Sequence, residues 1–257
     1  MKEVRFFYAP DALTISTLPD DEANHAIRVL RLGKGDRLNV IDGKGHLIEA
    51  AITEADKRGC RFIINKVEEM PRPWPCTVHI AVAPTKNIDR MEWMVEKATE
   101  IGVDRITFLD CRNSERRVIK TDRLDKIAVA AMKQSHKFHK PVIDGMVPFA
   151  EFVREQNKDK ERWYMKFIAH CYDDADLLLD SREKPFLLDA LRFSPGGTGE
   201  GFPMFNVLVG PEGDFSPDEV RLAMSQGYTP VSLSNSRLRT ETAALVGVHL
   251  MQLAQRQ

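Results

Sequence analysis

The chain has 257 residues, a length suited to two domains or one large one at about 150 residues per domain. Lys and Arg number 37 against 38 Asp and Glu, with 43% hydrophobic and 29% charged residues; this is ordinary usage for a folded protein and excludes a disordered, collagenous or wholly basic chain. No apolar run approaches the roughly 18 residues of a membrane span and the start, MKEVRFFYAPDA, lacks an apolar signal stretch, so a soluble cytoplasmic protein is expected.

In chain order, the β-like runs 37–42, 47–53 and 61–67 come first, punctuated by Gly33, Gly35, Gly43, Gly45 and Gly59, which predicts a small β-barrel. One helix is expected over 21–30, and Arg28, Arg31, Lys34 and Arg37 at its exit suit either phosphate contact or plain surface charge. Met70-Pro71-Arg72-Pro73-Trp74-Pro75 forbids helix and favours an extended connector. The expected units are therefore 1–70, a proline-rich linker 71–75, and 76–257.

The second unit alternates strand-like runs (77–83, 105–109, 142–144, 163–169, 206–209, 229–233) with helical patterns, the signature of a largely parallel sheet covered by helices. Met91, Met94, Val95, Ala98 and Ile101 form one apolar stripe, as do Leu124, Ile127, Ala128 and Ala131. From Arg112 to Lys140 nine Lys and Arg face three Asp and Glu, which fits a polyanion partner or a solvated helix face. The Gly-rich stretch 195–201 lacks dinucleotide-binding spacing and is expected to be a loop. Cys60, Cys76, Cys111 and Cys171 lie far apart, without a CxxC pair or His at finger spacing, which argues against structural zinc and a disulfide framework. No Walker A string, HExxH or GxSxG is present.

Two segments carry the most information. NVLVGPEGDFS, from Asn206 to Ser216, is a strand running into a glycine turn, and Ser216, Pro217 and Glu219 then make a capping-box helix start. Such a strand-turn-helix edge either binds a ligand or is an ordinary βα connection. LSNSRLRTETA, from Leu233 to Ala243, repeats the pattern before a helix over 242–254 that is apolar nearly all round, hence buried in a core or a subunit interface.

These two segments, with PTKNIDRMEWMVEKATEIGV upstream, HAIRVLRLGKGD, the N-terminal RFF, NSERRVIK and KQS, resemble the small-subunit ribosomal RNA methyltransferase E family. These are 16S rRNA uracil-N3 methyltransferases of the SPOUT superfamily, and the resemblance covers almost the whole chain. It implies an α/β protein with an N-terminal PUA-like β-barrel for RNA, a C-terminal SPOUT domain with a deep trefoil knot, and a homodimer. It further implies S-adenosylmethionine held by Val209, Gly210, Pro211, Glu212 and Gly213 on one side, by Leu233, Ser234, Leu238 and Arg239 on the other, and by Pro84 and Thr85. Where the family carries glycine, this chain has Asp214 and Ser234.

The implied reaction gives 3-methyluridine in the decoding region of the small ribosomal subunit, without a metal. It needs the weakly acidic N3 proton removed and the base exposed. Arg239 is the candidate cation beside the uracil oxygens. Glu241 is either its ion-pair partner or a general base, and Asn235, Ser236 and Arg237 share the same loop. Phosphate contacts are expected from Arg5, Arg28, Arg31, Arg116, Arg117, Lys133 and Lys137. The competing readings are a non-catalytic RNA-binding or ribosome-assembly module of the same fold, and a SPOUT methyltransferase acting on another RNA.

Overall fold

The structure is a computed structural model that describes residues 5–156, 164–172, 184–192 and 204–256. The chain divides into two compact units, Met1–Pro73 with Ala128–Lys140, and Trp74–Ile127 with Pro141–Gln257. The stretch 128–140, which the sequence reading places in the second unit, thus belongs to the first. The Gly-rich stretch 195–201 lies outside the described residues, as does Trp163.

In the first unit β1 (Phe6–Tyr8) runs parallel to β2 (Arg37–Ile41), which pairs antiparallel with β3 (His46–Asp56), and β3 pairs antiparallel with β4 (Gly59–Glu69). Period-two alternation explains the core: Leu38 and Val40 of β2, and Ile48, Ala50 and Ile52 of β3, face Phe7, Leu18 and Phe62. The helix expected over 21–30 is α1 (Asp20–Asn24) continued by a π-helical turn (His25–Val29), in which the Leu30 N–H donates to the His25 carbonyl at 3.0 Å. That wider turn leaves Arg28 and Val29 exposed while Ala26 stays buried. His136, exposed, and His139, half-buried, also belong to this unit. The His136 ring meets Phe6 edge-on at 5.1 Å, and His139 Nε2 lies 2.9 Å from the Met70 carbonyl.

The second unit contains β5 (Thr77–Val82), α2 (Ile88–Ile101), β6 (Arg105–Asp110), β7 (Val142–Pro148), α4 (Phe149–Glu155) and β8 (Tyr164–Ala169). It continues with α5 (Leu187–Arg192), β9 (Met204–Val209), α6 (Pro217–Ser225), β10 (Thr229–Val231) and α7 (Thr240–Ala254). Helix α3 (Thr121–Gln134) divides its residues between the two units. The six strands form one parallel sheet in the order β10-β8-β9-β5-β6-β7, an order consistent with the knotted path that the family resemblance implies. Strand β9 is buried along its whole length, as expected where helices cover both faces. On one face Ala81, Leu109, Leu208 and Ile168 pack against Phe149 and Phe152 of α4 and Val220 and Ala223 of α6. On the other lies α7, whose Gly247 faces Ile80 and Val207; a Cβ added there would meet them at 3.4 and 3.6 Å, ordinary packing distance. Trp74, at the end of the proline-rich connector, is anchored to this unit: its indole N–H donates to Asp104 Oδ2 at 2.9 Å.

A line of buried polar groups crosses four strands of this sheet. Asn206 Nδ2 lies 2.9 Å from His79 Nδ1, His79 Nε2 lies 2.8 Å from Thr107 Oγ1, and the Thr107 hydroxyl donates to Asp144, which also accepts from Arg105. Burial, with Arg105 adding to it, pulls the His79 pKa down to about 3. The ring is therefore neutral, accepting at Nδ1 and donating at Nε2.

Candidate functional site

The carboxyl ends of the adjacent strands β10, β8 and β9 open onto a cavity of about 550 Å³, within the range of about 300–1,000 Å³ typical of small-molecule sites. The ends and exit loops of three strands wall it: Ala169, His170 and Cys171 at β8, Val209 to Glu212 with Asp214 at β9, and Val231 to Ser234 with Ser236 to Thr240 at β10. Arg90 of α2 and Ala243 of α7 close it. Ligands of parallel sheets sit at such carboxyl ends.

Local chemistry shapes the β9 loop. A Cβ at Gly210 would come within 3.0 Å of the Phe215 backbone nitrogen, tighter than ordinary contact, so a side chain there would press on the turn. The Thr240 hydroxyl donates to the Gly210 carbonyl at 3.1 Å, joining the start of α7 to the same turn. The capping box of α6 is present, with the Ser216 side chain accepting from Glu219 N–H and Glu219 accepting from Ser216 N–H. Glu219 also accepts from Arg112 N–H at 2.8 Å, and Glu212 from Lys86 N–H at 3.2 Å, so loops after β6 and β5 brace this turn. Of the two positions where the resemblance leads glycine to be expected, Asp214 is left-handed, with φ of 60°, whereas Ser234 is not. Asp is among the residues that tolerate this conformation, and its carboxylate accepts from Cys171 N–H at 2.8 Å, tying the β8 loop to the β9 loop. Ser234 instead accepts from Ser236 N–H through its hydroxyl.

The structure brings together eight of the residues singled out for the cofactor: Val209, Gly210, Pro211, Glu212, Leu233, Ser234, Leu238 and Arg239. Gly213 is exposed beside Asn113, whose side-chain amide donates to the Gly213 and Asp214 carbonyls. Pro84 and Thr85 are buried and do not line the cavity; the Thr85 hydroxyl donates to the Asn87 carbonyl. Sequence reasoning missed Arg90 and the β8 loop with His170. The rule that ligands sit at strand carboxyl ends points to that loop only when the sheet order is known.

Glu241 is 7% exposed and does not line the cavity. No ion pair joins it to Arg239 among the described residues; its Oε1 lies 3.8 Å from Arg90 Nε instead. Arg239 is exposed at the N-cap of α7, and Arg237 is exposed in the same loop.

The seven expected phosphate contacts differ in exposure and partners. Arg5, Arg28 and Arg31 of the first unit are exposed. Three others have internal partners: Arg116 donates to the Thr85 and Lys86 carbonyls, Arg117 pairs with Asp110, and Lys133 pairs with Glu22. Lys137 is half-buried. Much of the positive stretch is thus internally engaged, since Arg112 pairs with Asp218 and Arg123 with Glu92. Among the described residues no group of three or more His, Cys, Asp or Glu is arranged to hold a metal ion, and no helix is long and apolar enough to cross a membrane.

Residues 72–252 match the family described as RNA methyltransferase domain, and residues 18–65 the one described as RNA methyltransferase PUA domain. Relatives named ribosomal RNA small subunit methyltransferase E include that of Rickettsia conorii, 26% identical over 241 residues and covering 93% of this chain and 89% of the relative. That of Mycobacterium bovis is 27% identical over 248 residues, covering 93% and 86%. Among solved structures, a probable rRNA-methyltransferase from Porphyromonas gingivalis is similar with a TM-score of 0.84 at 41% identity, over 98% of both chains. A candidate methyltransferase from Legionella pneumophila, in complex with the bound cofactor SAM, has a TM-score of 0.78 at 27% identity, again over 98% of both chains.

Proposed function

Because the chain belongs to the RNA methyltransferase family over residues 72–252, we propose that it is an S-adenosylmethionine-dependent 16S rRNA methyltransferase that methylates N3 of a uridine in the decoding region. The observation that carries this reading is the cavity at the carboxyl ends of β8, β9 and β10, with its glycine-cradled wall at Gly210. That wall fits the cofactor: Gly210 keeps main chain accessible, Leu233 and Leu238 supply apolar surface, and the Val209–Glu212 turn offers backbone polar groups. When bound there, the cofactor supplies an electrophilic methyl on a sulfonium.

The residues of this chain would then do three things. The cavity walls hold the acceptor base close to the methyl donor, and positioning of this kind supplies a large share of a rate. The exposed guanidinium of Arg239 stabilises negative charge on the uracil oxygens as the N3 proton leaves. The exposed Arg5, Arg28 and Arg31 hold phosphates without reading sequence, with Arg117, Lys133 and Lys137 taking part by exchanging internal partners for phosphate. Since N3 lies on the Watson-Crick edge, the target uridine is unpaired or flipped out. The reaction needs no metal. A homodimer fits α7, whose Leu245, Val246 and Leu253 stay only partly covered within one chain. Cytoplasmic localisation follows from a ribosomal substrate.

The test is single-turnover transfer from labelled S-adenosylmethionine to small-subunit particles lacking 3-methyluridine, with the modified position mapped. Label at uracil N3 in the decoding region is the expected result. Cofactor binding with no transfer would point to another RNA, and no binding at all to a non-catalytic module of the same fold.

A further inference from the structure

Three arginines are among the residues that line the cavity, Arg90, Arg237 and Arg239, with two acidic residues, Glu212 and Asp214. S-adenosylmethionine carries a sulfonium, an ammonium and one carboxylate, so it is itself cationic and its single carboxylate cannot neutralise three guanidinium groups. The cationic side of this cavity therefore awaits an anionic or anion-forming acceptor.

The three arginines are not equivalent. Arg237 and Arg239 are exposed in the loop before α7. Arg90 stands on the first turn of α2, a helix capped by Asn87 and fixed by the fully buried Met91, Met94, Val95 and Ala98. Its Nε lies 3.8 Å from Oε1 of Glu241, whose side chain is 9% exposed. The other carboxylate oxygen of Glu241 is buried without a hydrogen-bond partner among the described residues. A buried carboxylate is costly unless a countercharge stands beside it, and in return it fixes where that countercharge sits. A cation held by packing and by a second layer of charge is the preorganised kind that stabilises developing charge without rearranging.

We propose that Arg90 is a second acceptor-facing cation of the transfer reaction, acting with Arg239 on the negative charge that develops on the uracil oxygens, and that Glu241 is a positioning residue that holds the Arg90 guanidinium at the cavity wall. This rests on the uridine-methylating reading above. It removes the proton-accepting role from Glu241, which does not line the cavity; the N3 proton passes to solvent water, the N3–methyl bond forms, and the sulfonium–methyl bond breaks to leave a neutral thioether.

The test compares wild type, Arg90→Met, Arg90→Lys, Glu241→Gln and the Arg90→Met/Glu241→Gln double variant by two readouts. One is the single-turnover rate on small-subunit particles lacking 3-methyluridine, and the other is S-adenosylmethionine affinity by calorimetry. Arg90→Met is expected to lower the rate on the order of 100-fold while leaving cofactor affinity within about threefold, as for an interaction made mainly in the transition state. Arg90→Lys should recover part of the rate, Glu241→Gln should lower it, and the double variant should be no slower than Arg90→Met alone. An unchanged rate in Arg90→Met overturns the assignment. Multiplying losses in the double variant would make Glu241 an independent group, and a matching loss of cofactor affinity would place Arg90 on the cofactor; either result overturns it too. Arg90 is partly exposed, so its variants keep the test decisive should Glu241→Gln fold poorly. Wild-type protein that binds cofactor but transfers no methyl group would instead overturn the functional reading.

Discussion

Gly210 is tightly confined, because the Phe215 backbone nitrogen stands 3.0 Å from where its Cβ would be. Backbone cannot yield as a flexible side chain can, so Gly210→Val should displace the turn. Calorimetry with S-adenosylmethionine is expected to show no binding by this variant, and retained affinity would move the cofactor away from this turn. Asp214 is the neighbouring residue with a conformational demand, left-handed at φ of 60° and bonded through its carboxylate to Cys171 N–H. Asp214→Ala keeps the unfavourable backbone and loses the bond, so it should destabilise the fold by about 1–3 kcal/mol. Asp214→Gly relaxes the backbone while losing the same bond, and its urea midpoint should fall less.

At the scale of elements, the capping box of α6 ties the helix to the turn that walls the cavity. Ser216→Ala should cost about 1 kcal/mol of stability, read as a lower denaturant midpoint with an unchanged m-value. Arg116 and Arg117 are adjacent in sequence but serve different elements. Arg116 bonds the carbonyls of the β5–α2 connection, while Arg117 meets Asp110 at a partly exposed site, where an ion pair contributes little. Arg116→Ala should therefore lower stability by about 1–3 kcal/mol and leave the salt dependence of RNA binding unchanged. Arg117→Ala should reduce the salt slope by about one with little effect on stability. A reduced slope in Arg116→Ala would show that its guanidinium leaves the carbonyls for phosphate.

For the molecule as a whole, the buried His79 sets the first response to acid. Its pKa falls from 6.5 to about 3 on folding, so between these values the unfolded chain binds the extra proton. Stability is then full above about pH 6.5 and declines as pH falls toward 3, by about 1.4 kcal/mol per pH unit once well below 6.5. Asp144, despite burial that raises its pKa, is held below the usual carboxylate value by hydrogen bonds from Arg105 and Thr107, so its contribution is lost only in stronger acid. Urea midpoints measured from pH 7 to pH 5 should fall in wild type and flatten in His79→Gln. An equal decline in both would place the acid sensitivity elsewhere.

The sequence by itself determined most of the elements and the character of the β9 turn, because these follow from local rules. Period-two alternation marked β2, β3 and β4, helical spacing marked α2, and the order Ser216, Pro217, Glu219 marked the start of α6. The same locality explains why the loops after β9 and β10 were legible as a candidate site. The tertiary structure alone decided what depends on neighbours distant in sequence. Sheet order placed β8 between β10 and β9, and so brought His170 to the cavity in place of Thr85. Packing of α2 brought Arg90 to Glu241, although sequence proximity had suggested Arg239. Ion pairing engaged Lys133 with Glu22 and Arg123 with Glu92, contacts across 111 and 31 residues. A charge count along the chain cannot register such pairs, because Coulomb attraction acts through space and the fold, not sequence order, sets the distances.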